Sequence, residues 1–122
     1  MSGFAVDVET QYIAEESDPD DGRYVFAYTI TISNMGEAPG KLLRRHWVIT
    51  DGAGHVEEVR GAGVVGEQPH IRPGEAFRYT SGAVLKTPVG SMEGSYQFER
   101  DDSTEFAVAI PAFLLSVPNM VH

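Results

Sequence analysis

The segment RYVFAYTITIS, residues 23–33, constrains the chain more than any other. Tyr24, Phe26, Tyr28, Ile30 and Ile32 alternate with Val25, Ala27, Thr29 and Thr31. A period of two places one set on each side of an extended backbone, and aromatic and β-branched residues suit a pleated surface. A helix would scatter the same residues around its axis. The alternation recurs in Phe4, Val6 and Val8, and from Lys41 to Thr50, where Leu43, Arg45, Trp47 and Ile49 oppose Leu42, Arg44, His46, Val48 and Thr50. It returns in His55–Gly61, from Phe77 towards Ser81-Gly82, in Met92–Phe98, and in Phe106–Ile110 before Pro111. Asn34-Met35-Gly36, Asp51-Gly52-Ala53-Gly54, Arg72-Pro73-Gly74-Glu75 and Asp101-Asp102-Ser103 supply the turns between them.

A helical period persists nowhere for three turns, and 13 glycines and 7 prolines interrupt the chain. About seven short strands in one chain of this length predict a single all-β domain over residues 1–122, an antiparallel two-sheet sandwich. The only tryptophan, Trp47, falls on the third strand, where immunoglobulin and fibronectin type III sandwiches bury one. Tyr96 falls on the penultimate strand, where a tyrosine often pins a corner. Arg45 shares the parity of Trp47, so it is expected at a sheet edge or beside an acid, because a lone buried charge is costly. The tail AFLLSVPNMVH is apolar enough to pack on the body.

Eighteen acidic residues against nine basic ones give a formal net charge of -9. That balance argues against general nucleic-acid binding, which rests on lysine and arginine displacing counterions from phosphates, and leaves room for a local basic patch. The absence of cysteine removes disulfides and thiolate zinc sites and suits a reducing compartment. The start MSGFAVDVET lacks a signal-peptide pattern, and no apolar run spans a bilayer, so a cytoplasmic protein without membrane insertion is expected. Edge strands of a sandwich leave a monomer or a weak homodimer as the expected state.

The stretch GAGVVGEQP carries G-x-G-x-x-G at Gly61, Gly63 and Gly66. In a dinucleotide fold this spacing joins a strand to a helix whose N-terminus holds pyrophosphate. Here Pro69 and Pro73 with Gly74 forbid that helix, so no nucleotide cofactor is expected. Two readings remain. The glycines serve positive φ or a bulge, with Val64 and Val65 anchoring the loop to the core. Alternatively their amides form an anion nest flanked by Arg60 and Arg72. A recognition surface is therefore placed at Arg60, Gly61, Gly63, Gly66, Glu67, Gln68 and Arg72, with Arg44 and His46 as neighbours; exposed loops on rigid sandwiches commonly recognise partners. The run EESDPDDG resembles a calcium loop only in Asp18 and Asp20 and reads as a solvated acidic loop. Direct divalent-ion binding by Asp18, Asp20 and Asp21, or by His46, His55, His70 and His122, would need convergence through the fold. No residue pattern marks a catalytic nucleophile or carboxylate dyad, so catalysis is disfavoured.

RYVFAYTITISN, LLRRHWVITD, VRGAGVVGEQPHIRPGEAFRYTSG, LKTPVGSMEGSYQF and the ending IPAFLLSVPNMVH together resemble the bacterial ApaG family, also called CorD, over nearly the whole chain. The resemblance implies a fibronectin type III or immunoglobulin-like sandwich. It implies an association with cobalt resistance and magnesium efflux, and a suggested pyrophosphate site at Gly61, Gly63 and Gly66. Similar domains in F-box proteins and a polymerase-delta-interacting protein look like interaction modules. It implies no established enzymatic activity. The expected ligand is thus an unidentified protein partner or, alternatively, a pyrophosphate or polyphosphate that the loop binds or hydrolyses.

Overall fold

The computed structural model describes residues 3–118. Eight strands follow one another: β1 (Phe4–Tyr12), β2 (Tyr24–Asn34), β3 (Gly40–Asp51), β4 (Val56–Ala62), β5 (His70–Ile71), β6 (Ala76–Leu85), β7 (Val89–Glu99) and β8 (Glu105–Ser116). All pairings are antiparallel. One sheet has the order β1-β2-β6; the other has β4-β3-β7-β8, with short β5 joining the start of β3. This is the sandwich anticipated from the alternation, with β5 as an addition too short to leave a periodic signal. The acidic segment between β1 and β2 forms two 3-10 turns, Ala14–Glu16 and Pro19–Asp21. No helix among the described residues is long and apolar enough to cross a membrane.

The core lies between the sheets. Phe26, Tyr28, Ile30 and Ile32 from β2 face Leu42 and Trp47 from β3 and Met92, Tyr96 and Phe98 from β7. Leu42, expected on the side opposite Trp47 with Leu43 inward, joins Trp47 in the core because the register shifts between Leu42 and Arg44. Trp47 is 2% exposed and meets Tyr28 at 5.4 Å between ring centroids and Phe113 at 5.9 Å. Truncating so large a buried side chain typically removes about 3–5 kcal/mol. Tyr96 does not pin a corner through the backbone. Its hydroxyl pairs with that of Tyr79, at 2.5 Å, and so ties β7 in one sheet to β6 in the other. Both phenols are buried, and burial pushes Tyr79 up to about 12 and Tyr96 higher still.

Two strands outrun their predicted ends. β6 continues past Gly82, which pairs with Ala27, to Leu85. β8 continues through Pro111 to Ser116 because the proline sits in a bulge: Gly94 pairs with Ile110 and Met92 with Phe113, leaving residues 111 and 112 out of register. A proline is tolerated there because an edge strand at a bulge needs no donor. The tail packs through Phe113 and Leu115, while Leu114 is 61% exposed. The expectation for residues 119–122 lies outside the described residues.

Candidate functional site

Each glycine of the loop has its own geometric reason. Gly61 is in β4 opposite Arg45, and a Cβ there would stand 2.7 Å from the Arg45 guanidinium. Arg45 thus lies under β4, with Nη1 donating to the carbonyls of Ala62 and Gly63 at 3.0 Å each. This differs from the sequence expectation: β3 is an interior strand, no carboxylate lies within ion-pair distance of Arg45 among the described residues, and backbone carbonyls take the place of an acid. Gly63 has φ +60, and a Cβ would overlap the Glu67 carbonyl. Val65 and Gly66, with φ 44 and 81, form a two-residue turn between Val64 and Glu67. Positive φ at both central positions marks the mirror-image turn that suits tight hairpins. Val64 is 1% exposed and anchors the loop; Val65, expected to help it, projects outward at 54% exposure. A β-branched residue at positive φ is strained, and this strain sits at the loop tip.

Three amides of the loop are taken by backbone carbonyls. Gly63 N–H donates to Leu43 O at 2.8 Å, Val64 N–H to Glu67 O at 2.8 Å, and Glu67 N–H to Val64 O at 2.9 Å. Gln68 Nε2 donates to Leu43 O at 3.0 Å, stitching the loop to β3 beside Arg44. Arg72 is engaged in its own turn, where its guanidinium and amide bind the Glu75 carboxylate. That pairing raises Arg72 and holds Glu75 below the usual carboxylate range.

The outer face of the second sheet gathers the other site residues. Register aligns Arg60 with His46 and His46 with Ser95; the next row aligns Ala62 with Arg44 and Arg44 with Gln97. On β8 the matching positions are Ala109 and Ala107, which keep the face low. The result is a groove of about 470 Å³ whose lining includes Arg44, His46, Arg60, Gly61, Ser95 and Gln97. Arg44 Nη2 pairs with Glu105 at 2.6 Å, His46 Nε2 with Glu58 at 2.8 Å, and Arg60 reaches Glu58 at 3.5 Å. The His46 hydrogen bond, then the Arg60 charge, hold Glu58 below the usual carboxylate range. Ser95 and Gln97 were missed in the sequence; their polar alternation with Gly94, Tyr96 and Phe98 was the available signal.

The fold does not bring the remaining candidates together. His46, His55 and His70 pair separately with Glu58, Asp51 and Asp101, and His122 lies outside the described residues. Among the described residues no three His, Asp or Glu side chains converge to hold a metal ion.

The strand order, the closed glycine loop and the charged outer groove define a fibronectin type III-like sandwich with a shaped surface, distinct from any dinucleotide fold. The chain belongs to the ApaG family: a sequence model described as the ApaG domain matches residues 14–100. Protein ApaG of Aromatoleum aromaticum is 54% identical over 121 residues, covering 98% of this chain and 95% of its own length. Protein ApaG of Thiobacillus denitrificans is 56% identical over 117 residues, covering 96% and 92%. A crystal structure of the putative ApaA protein from Bordetella pertussis superposes with a TM-score of 0.93 at 49% identity, covering 96% of this chain and 95% of that one.

Proposed function

We propose that the chain is a cytoplasmic, non-enzymatic binding module whose contact surface is the outer groove of the second sheet together with the adjoining glycine loop. Binding there connects it indirectly with cobalt resistance and magnesium efflux, the physiology implied by the family resemblance. The observation that supports this reading is the alignment of Arg44, His46 and Arg60 on one rigid face. Their present partners are Glu58 and Glu105, in exposed pairs. Such pairs contribute little to stability, so a partner's carboxylates can replace them at small cost. Gly63, Gly66, Glu67 and Gln68 fix the loop that displays Val65 beside this face. Affinity capture with the wild type beside Arg44→Ala and Arg60→Ala tests it. Proteins held by the wild type and lost by both variants support the groove; an unchanged set removes it.

The second reading, a pyrophosphate or polyphosphate ligand, is favoured by three arginines, Arg44, Arg45 and Arg60, in the lining of the same groove. With the Gly63, Val64 and Glu67 amides engaged, Arg44 and Arg60 would supply the grip through charge-assisted hydrogen bonds. Calorimetry with pyrophosphate, with and without magnesium, checks it. Heat abolished by Arg44→Ala and Arg60→Ala supports the reading, and none at millimolar ligand ends it.

A further inference from the structure

The two sides of the sandwich differ. Along one, β1 packs beside β8. Along the other, edge strands β4 and β6 stand apart, and a cleft of about 820 Å³ separates them. Its length follows the inward parity of β3, from Arg45 past Trp47 and Ile49 to Asp51. The opposite wall is β6 from Ser81 to Leu85, with Lys86 just beyond its end. Three small residues, Ser81, Gly82 and Ala83, leave this part of the β6 edge low. Above a floor of buried Tyr28, Trp47 and Met92, the reachable walls are half-buried Ile49 and Val59, and the rim carries Val56 at 62% exposure and Val84 at 55%.

We propose that this cleft, which shares only Arg45 in its lining with the outer groove, is a second docking site for a short extended segment of a partner protein. The segment adds as a strand along the free edge of β6, places apolar side chains at alternate positions between the sheets, and directs an acidic side chain to Arg45. Three observations on different groups converge on that occupant. An edge strand offers a row of unpaired backbone donors and acceptors, and an extended chain is the ligand that matches it. The apolar walls and rim accept side chains from one face of such a strand, and six residues, 81–86, span roughly 20 Å at the rise of a strand. Charge selects the acidic residue. Arg44, Arg60, Arg72 and Arg78 have carboxylate partners; Arg23, Arg45 and Arg100 bond backbone carbonyls, and of these three Arg45, with the Ala62 and Gly63 carbonyls on Nη1, is the one that lines the cleft. In a chain with twice as many acids as bases, a half-buried arginine without one is a cation that a partner's carboxylate completes. The far end carries charges of both signs, with Asp51 engaged by Ala53 and His55 of its own turn and Glu57 and Lys86 also in the lining, whereas Arg45 has no acid in the lining at its end, so the complementary charge belongs there.

The test is an NMR titration of the ¹⁵N-labelled protein with a panel of acetylated hexapeptides of alternating Val and Thr, carrying one Asp at each position in turn. A matching panel carries Asn instead. The expected result is saturable shifts confined to residues 45–51, 56–59 and 81–86 and slowed exchange of β6 amides, with the best Asp peptide binding about tenfold more tightly than its Asn counterpart. Arg45→Gln removes that preference. Val84→Lys, on the exposed rim, keeps the fold and blocks the edge. Arg44→Ala and Arg60→Ala leave these shifts unchanged, which separates this site from the outer groove. No shift at millimolar peptide, shifts centred elsewhere, equal binding of Asp and Asn peptides, or indifference to Val84→Lys overturns the proposal. Should Arg45→Gln fail to fold, the Asp–Asn comparison on the wild type decides the role of the charge.

Discussion

Replacing Gly63 with alanine separates a backbone requirement from a ligand requirement. Gly63 holds φ +60, and its Cβ position is already filled by the Glu67 carbonyl. Left-handed backbone costs a non-glycine residue about 1–2 kcal/mol. Relieving the overlap means moving the strand of the loop that carries Glu67. That movement weakens the two bonds between Val64 and Glu67, worth about 0.5–1.5 kcal/mol each. The total is a loss of about 2–5 kcal/mol. Gly66→Ala is the internal control, since Gly66 has φ +81 with open space around it and carries only the first cost, about 1–2 kcal/mol. Urea unfolding followed by far-UV circular dichroism and by emission of Trp47, the only tryptophan, gives both values. Gly63→Ala should be the less stable of the two by about 1–3 kcal/mol. Equal costs would refute the steric account of the motif and return weight to a role for the Gly63 amide outside the loop.

Three further outcomes are expected. Val65→Asn should stabilise the protein by about 1 kcal/mol in the same urea assay, because asparagine before glycine fits the turn that strains valine. Glu58, held below the ordinary glutamate value of 4.5 first by His46 and then by Arg60, should titrate low in a carbon-detected NMR experiment and move back up in His46→Ala. Because its folded value is depressed, its stabilisation is present at neutral pH and is lost as pH falls through that value. Tyr79→Phe should cost about 1–3 kcal/mol by leaving the Tyr96 hydroxyl buried without its partner, and adding Tyr96→Phe should cost less than the sum of the single changes, read from urea midpoints.

The sandwich was legible because one face of each main strand is buried, and burial on one face writes a period of two into Tyr24–Ile32, Arg45–Ile49 and Gly94–Phe98. The extent of β8 was not, because Pro111 reads as a breaker unless the bulge opposite it is known. The glycine loop was half legible. Its prolines exclude a nucleotide helix, but the reason for Gly61 lies in Arg45, sixteen residues earlier, and appears only once β3 and β4 pair. Candidate site residues followed the same division. Arg44 and His46 share a face that strand parity foretells, and the β3–β4 register brings Arg60 to it, whereas Arg72 is close to the loop in sequence and turns away to Glu75. The cleft between β4 and β6 left no sequence signal, since it arises from edges that do not meet.

The most direct test of the binding-module account is site-specific photo-crosslinking in cells. A photoreactive residue replaces Ser95, in the outer groove, and in a second strain Arg78, on the outer face of the other sheet. The account predicts a discrete crosslinked product from position 95 that disappears when Arg44→Ala and Arg60→Ala are added, and none of that product from position 78. The same product from both positions, or one from position 95 that survives loss of both arginines, would contradict it.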